Sequence, residues 1–416
     1  MTGELFSPLL LRSGQVLSNR IGKAAMEENM AADGQVPGKQ ILTLYRRWAE
    51  GGAGLLITGN VMVHAEALTA PSGVVLDAHS PLEPFAEWAK VGKSGGGAMW
   101  MQINHPGRQV PSGMPGVVWA PSAIGIDLGR HTKRFGRPVA MTPQQIDDTV
   151  TRFVVTAHRA EKAGFDGVEI HAAHGYLLSQ FLSPLVNRRT DHWGGPLRNR
   201  ARMLLDIVQA VRTAVSPSFS VAVKLNSADF QRGGFDADDA RQVIEMLEPL
   251  GVDLIELSGG SYESPAMTGR PADESTQARE AYFLDLARVL VKRGPVPLML
   301  TGGITQRYSA ERVLDSGVAM VGLGTALTLT PDLPHRWRDA READRPAEPI
   351  TWSDKALAAA ASMARVRLQM RRLARGRKTN PGTNPAIALI SERRRQRKAL
   401  RVYRAWLSRE RGTTGR

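Results

Sequence analysis

Cysteine is absent from all 416 residues. Its absence excludes disulfides, a cysteine nucleophile, thiolate zinc sites and cysteine-held iron–sulfur clusters, and agrees with a reducing compartment. No uninterrupted apolar run reaches the ~20 residues needed to span a bilayer. The segment Met1 to Arg20 lacks the charged-then-apolar layout and the small-residue cleavage site of a secretory signal. A soluble, cytoplasmic protein is therefore expected. The glycine fingerprint G-x-G-x-x-G does not follow the first apolar run, so the usual mark of a doubly wound dinucleotide fold is missing.

What is present is an alternation of short apolar runs with amphipathic stretches, the pattern of parallel strands joined by crossover helices. The strands are expected at Arg20–Met26, Gly54–Asn60, Ala98–Asn104, Gly167–His171, Ser220–Asn226, Val252–Ser258, Val296–Thr301 and Ala319–Leu323. They lack polar alternation, as strands buried on both faces do. Helices are expected at Lys39–Glu50, Leu82–Lys93, Pro143–Ala163, Leu197–Val215, Asp236–Leu250, Ala278–Lys292 and Tyr308–Asp315, with a last one beginning near Leu333. Thr142-Pro143 and Asp236 supply start signals. Eight β/α units predict an α/β fold, a (β/α)8 TIM barrel. The long connection from His105 to Met141 is expected to fold over the barrel mouth as a lid or small hairpin.

The net charge of +14 is unevenly placed. Residues 349–416 hold 18 Lys and Arg against 3 Asp and Glu, leaving 36 basic and 37 acidic residues in 1–348. We expect a barrel over 1–348 and a basic helical C-terminal extension over 349–416. Met363, Val366, Met370 and Leu373, then Leu400, Tyr403 and Leu407, recur at helical spacing, with a loop at Lys378–Pro385. Such an extension can meet an acidic surface through Arg371–Lys378 and Arg393–Lys398. Alternatively, it is an arginine-rich helical pair that covers the barrel and leaves its guanidinium groups in solvent.

Barrel chemistry sits at the C-terminal ends of the strands. There the third strand ends in Gln102-Ile103-Asn104-His105, and the fourth in His171, followed by His174 and Tyr176. The fifth carries Lys224 and Asn226, and the last two end in Thr301-Gly302-Gly303 and Gly322-Leu323-Gly324-Thr325. Glycines at the last two ends let backbone N–H groups approach a phosphate closely. Imidazoles at i and i+3 can donate hydrogen bonds to an oxygen where negative charge grows, and a phenol can deliver a proton. The same histidines could instead ligate a metal, with His105 or a carboxylate as third ligand. That reading gives a metal-dependent barrel hydrolase or lyase.

The stretch HAAHGYLLSQFLSPLVNRRTDHWGGPLRNRARMLLDIVQAVR, His171 to Arg212, resembles the signature of the Old Yellow Enzyme family of FMN-dependent NADH:flavin oxidoreductases. The opening LFSPLLLRSGQVLSNRI, the segment QINHPGRQ at Gln102–Gln109 and the TGGI and GLGTAL strand ends match it in order, over roughly residues 4–335. The resemblance implies a single-domain barrel ene-reductase in which NADH or NADPH reduces non-covalently bound FMN. The flavin then passes hydride from N5 to the β-carbon of an activated alkene, an enone or nitro compound. His171 and His174 would hold the substrate's oxygen, and Tyr176 would protonate the α-carbon. Ala25, Met26, Glu27 and Asn60 would line the isoalloxazine, Gln102 its pyrimidine edge, and Lys224 the N1 and C2 carbonyl region. Gly302, Gly303, Gly324 and Thr325 would cradle the phosphate. The partner is a small-molecule substrate, and a homo-oligomer is compatible with the family.

Three positions depart from the family pattern. Glu27 stands where Thr or Cys is common, and a carboxylate there disfavours an anionic reduced flavin unless it turns away, is protonated, or pairs, as Glu27 and Glu28 could with Lys23 or Arg108. Lys224 replaces a common arginine. Thr325 replaces another, which removes one phosphate counter-charge.

Overall fold

The structure, a computed structural model, describes residues 4–261, 263, 296–341 and 348–414. Eight strands form a closed parallel barrel: β1 (Ile21–Lys23), β2 (Leu55–Ile57), β3 (Ala98–Asn104), β4 (Gly167–Ala172), β5 (Ser220–Asn226), β6 (Leu254–Ser258), β7 (Leu298–Thr301) and β8 (Met320–Leu323). Pairing of β8 with β1 sets Val321 opposite Ile21, and pairing of β3 with β4 sets Glu169 opposite Gln102. Every edge is thereby paired.

The helices are α1 (Lys39–Ala49), α2 (Glu83–Gly92), α3 (Pro143–Lys162), α4 (Leu177–Leu182), α5 (Leu197–Ala214), α6 (Ala237–Leu247), α7 (Arg307–Asp315), α8 (Thr325–Leu329), α9 (Leu333–Arg338), α10 (Lys355–Leu373) and α11 (Pro385–Thr414). The start signals act as read. Thr142 accepts from the Gln145 amide while the Gln145 side chain accepts from Thr142, a capping box. Asp236 caps α6. The expected helix at Ala278–Lys292 lies outside the described residues.

The barrel interior changes character along the strands. At its lower end Leu55, Ile57, Trp100, Ala222, Leu254, Met299 and Met320 form an apolar plug with Leu11 and Leu17 of an N-terminal hairpin. With period-2 side-chain alternation, the next inward positions are polar: Gln102 and Asn104, Lys224 and Asn226, Glu256 and Ser258, all buried. The plug is sealed by packing, so the polar end is the one open to chemistry.

Two expectations on element shape need correction. β1 and β2 end at Lys23 and Ile57 rather than Met26 and Asn60. Beyond them the chain leaves the ladder: Ala24 N–H donates to the Leu323 carbonyl, and Gly59 N–H to Glu28 Oε1. The apolar runs therefore continue into loops at the mouth. In the 105–141 connection the antiparallel pairing is limited to a single bridge, Pro111 to Phe135, while Trp119–Ala120 pairs in parallel with Val139–Ala140, so a regular hairpin is replaced by a crossover between those two strands.

The C-terminal helices pack on the barrel. Asp354 caps α10 through the Leu357 amide at 3.0 Å. Met370, Leu373 and Ala374 join the core between strands and helices. Tyr403 and Leu407 of α11 close over Met62, Leu68 and Val75, and the Tyr403 hydroxyl donates to the Ala65 carbonyl at 2.7 Å. Met363, read from spacing as part of the apolar stripe, is 36% exposed; Ala361 and Ala364 turn inward there instead.

Candidate active site

The fourth strand end is shaped by two successive left-handed residues. His174 has φ +60° and Gly175 φ +73°. For a residue with a Cβ, that conformation costs about 1–2 kcal/mol, and a neighbouring strand and the loop after β3 hold it: His174 N–H donates to Asn226 Oδ1 at 3.0 Å, and its carbonyl accepts from Gln109 Nε2 at 2.9 Å. At position 175 a Cβ would lie 2.9 Å from that of Ser261, so glycine is required. The turn brings three rings together. His171 meets His174 edge-on at 5.1 Å between centroids and Tyr176 at 4.9 Å.

Both histidines are neutral. Burial, then His174 and Lys224, hold His171 well below the usual imidazole range; burial and Lys224 take His174 down to about 3. His171 Nδ1 accepts from the Ala173 amide at 3.2 Å, so its proton is on Nε2, aimed away from its own backbone. His174 Nε2 contacts Ser258 Oγ at 2.7 Å.

Beneath them runs a buried polar layer. Lys224 and Glu256 are register partners on β5 and β6, joined at 2.5 Å. Gln102 Nε2 donates to Glu169 Oε2 at 2.5 Å. Glu169 and Glu256 are both fully buried, and the Thr301 side chain also lies beside Glu256. Burial and the charge of Glu256 push the Glu169 carboxyl up. Burial also pushes Glu256 up, but Lys224 and a hydrogen bond from Glu169 outweigh it and hold Glu256 low. Of the two acids, Glu169 is thus the one pushed toward its neutral form and Glu256 the one held toward its charged form.

Glu27 lies at the centre of the mouth. Its Oε1 accepts from the Tyr176 hydroxyl at 3.2 Å and from Asn60 Nδ2 at 2.9 Å. Its Oε2 pairs with Arg367 of α10 at 2.6 Å. Neither Lys23 nor Arg108 pairs with Glu27. Lys23 contacts the Tyr45 hydroxyl and the Ile57 carbonyl, and burial lowers it to about 8. Glu28 is bonded to Tyr45 and the Gly59 amide, while Arg108 pairs with Glu263.

A sequence model of the NADH:flavin oxidoreductase / NADH oxidase family matches residues 4–344. The chain belongs to this family. It is 39% identical over 349 residues to the NADH-dependent flavin oxidoreductase iliE of Hypocrea jecorina (strain QM6a), covering 79% of this chain and 87% of that one. The old yellow enzyme homologue from Zymomonas mobilis superposes with TM-score 0.70 at 25% identity, covering 83% of this chain and 95% of that one. Morphinone reductase in complex with tetrahydroNAD gives TM-score 0.68 at 25% identity, over 82% and 92% of the two chains. The protein is accordingly an FMN-dependent oxidoreductase with a nicotinamide as reductant.

The residues of the mouth suit the family's cofactor. Gln102 Oε1 is buried and has no donor, and both polar atoms of the buried Asn104 amide are also unpartnered. An imide N–H such as that of the flavin pyrimidine is the kind of donor Gln102 lacks. At the ends of β7 and β8 a Cβ on Gly302 would meet nothing within 4 Å, and one on Gly324 only Met26 at 3.6 Å. Backbone there borders open space, as an anion cradle requires. Gly303 has φ +70°, and Thr325 starts α8 directly after Gly324. Met26 lies against this end, its sulfur accepting from Thr328 Oγ1 at 3.4 Å, so Ala25–Glu27 runs between the glycine end and the Tyr176 end.

Membership in this family favours the flavin reading of His171 and His174 over the metal-ligand reading, and among the described residues no group of three His, Asp or Glu is arranged to hold a metal. No helix among them is long and apolar enough to cross a membrane. Sequence reasoning missed Glu169, Glu256 and Ser258, although an acidic residue inside an otherwise apolar strand was a legible signal in both GVEIHA and LIELS. It also missed Arg367, which no motif marks.

Proposed function

We propose that this oxidoreductase reduces the double bond of an activated alkene, an enone or nitroalkene, and that Tyr176 supplies the proton. The reading rests on one observation: the neutral His171, with its proton on Nε2, packs edge-on against both His174 and Tyr176 at the mouth that holds Gln102 and Lys224. Hydride for the β-carbon would be the chemistry supplied by bound FMN, with the nicotinamide as its source of electrons. The protein's part is to hold and polarise the substrate. His171 Nε2–H donates to the carbonyl or nitro oxygen, drawing electrons from the double bond. His174, tethered through Ser258, keeps the neighbouring face of that oxygen polar. Tyr176 gives its hydroxyl proton to the α-carbon, so one hydride and one proton add across the bond. Lys224 sets a positive charge where Gln102 faces the cofactor, which favours the added electrons.

The test is Tyr176→Phe, followed in two half-reactions under anaerobic conditions. Reduction of the flavin by NADH or NADPH should persist, while reoxidation by an enone should slow by about 10²–10⁴-fold, the range for a lost general acid. Equal reoxidation rates in both proteins would reject Tyr176 as the donor.

A further inference from the structure

The family match ends at residue 344, yet a side chain from beyond it enters the site. Arg367 of α10 pairs with Glu27 Oε2 at 2.6 Å, and their side chains are only 16% and 12% exposed. The same guanidinium reaches Glu392 of α11 at 3.8 Å. It also donates to Asn29, whose amide oxygen accepts from both Arg367 Nη2 and Nε once the amide is oriented to match its donors. Arg395 of α11 donates to the Asn29 carbonyl at 3.3 Å. The extension thus grips the Glu27–Asn29 segment with two arginines from two helices.

We propose that the C-terminal extension completes the active site, with Arg367 as a positioning residue that neutralises Glu27 and holds it against Tyr176. Three of the contacts that Glu27 makes constrain the chemistry. Asn60 and Tyr176 share Oε1, which fixes the phenol. Arg367 takes Oε2 and cancels the carboxylate charge. Without it, a negative charge would stand 3.2 Å from the hydroxyl that must give up a proton, and along the Ala25–Glu27 segment proposed to line a cofactor that gains negative charge on reduction. In a site shielded from water, like charges at such a separation oppose each other strongly. This chain keeps the carboxylate at position 27 and sets against it a cation from beyond the family match.

The inference rests on the reading that Ala25–Glu27 borders the flavin, and the experiment separates the two. The flavin midpoint potential is measured against a reference dye in the wild type, Arg367→Gln, Arg367→Lys, Glu27→Gln and the double variant Glu27→Gln/Arg367→Gln, all in the full-length holoenzyme. Arg367→Gln should lower the potential, shifting the oxidised-to-reduced equilibrium by roughly tenfold. Glu27→Gln should raise it, and the double variant should return close to wild type. Arg367→Lys, which keeps the charge, should stay nearer wild type than Arg367→Gln. A wild-type potential in Arg367→Gln alongside a shifted one in Glu27→Gln would overturn the role of Arg367 and leave the flavin placement standing. Wild-type potentials in both would overturn the placement of Glu27 beside the flavin, and the proposal with it. A double variant as low as Arg367→Gln would show that the arginine acts by another route, and would also overturn it.

Discussion

The barrel mouth and the C-terminal extension both bury ion pairs, but they fix them by different means. In the mouth, Lys224 and Glu256 sit opposite each other in a strand ladder, 3% and 0% exposed. The hydrogen-bond register sets their spacing, and the buried Glu169 carboxyl lies beside the pair. In the extension, Arg371 and Glu392 meet across two helices at 2.6 Å, 5% and 7% exposed, with Arg367 as a second cation at 3.8 Å. Nothing covalent or ladder-like sets that spacing; it depends on Met370 and Leu373 keeping α10 seated on the barrel. Strand register thus permits a dry, short and isolated pair. Helix packing gives a shared pair, in which one carboxylate answers two arginines.

The comparison is broken most directly by removing one cation from each region. Lys224→Met leaves Glu256 buried with no positive partner, and loss of one member of such a pair costs about 3–5 kcal/mol. Urea denaturation at pH 7 should show it, and the cost should shrink at lower pH, because Glu256 can then take a proton of its own. A cost under about 1 kcal/mol at pH 7 would mean that the layer relaxes and is not locked by register.

Arg371→Met is the matching change in the extension. Glu392 keeps Arg367 and a hydrogen bond from Gln396. The expected loss is smaller, about 1–3 kcal/mol, as for a buried polar group left partly satisfied. If the two substitutions cost the same, the shared pair is no more forgiving than the isolated one. Most other arginines of α11, Arg393, Arg394 and Arg397 among them, face solvent. The extension therefore keeps few of its cations and directs most of them outward, in keeping with a helical pair that covers the barrel.

What could be read in advance follows the same division. Strands β3 and β5 were legible to the residue, because a strand buried on both faces is an uninterrupted apolar run and its polar members fall at the mouth. His171, His174 and Tyr176 were legible because they fall within six residues at the end of one strand, so local geometry alone brings them together. Glu27 stands out in the sequence, but the partners its neighbourhood suggests, Lys23 and Arg108, are not the one it meets. Lys23 and Arg108 were nearer in sequence or motif, whereas Arg367 reaches it from 340 positions away. Periodicity reports which face of a helix is apolar. It carries no record of which barrel loop the other face will meet, and Arg367 looks in sequence like any other arginine of a basic helix.

The two regions also differ in how they meet acid, which gives the finest test. Arginine does not titrate near neutrality, so the extension's buried arginine pairs respond to acid only through their carboxylates. The mouth is different, because it buries neutral imidazoles. His105 is taken down to about 3 by burial, by His64 and by Arg152, and His174 to about 3 as well. In the unfolded chain each would bind a proton below about 6.5. The unfolded state therefore holds the extra protons between that value and about 3, and folding stability falls as pH drops through this window, by about 1.4 kcal/mol per pH unit for each histidine. His105 is the one to test, since it lies outside the ring cluster and its Nδ1 only accepts from the Gly107 amide at 3.1 Å. Stability measured by denaturant at pH 6.5, 5.5 and 4.5 should fall less steeply in His105→Gln than in wild type, by one proton's worth of slope, whatever offset the substitution adds at all three values. Parallel curves would show that His105 takes its proton in the folded protein, and the acid response would then have to come from the carboxylates that the mouth and the extension have in common.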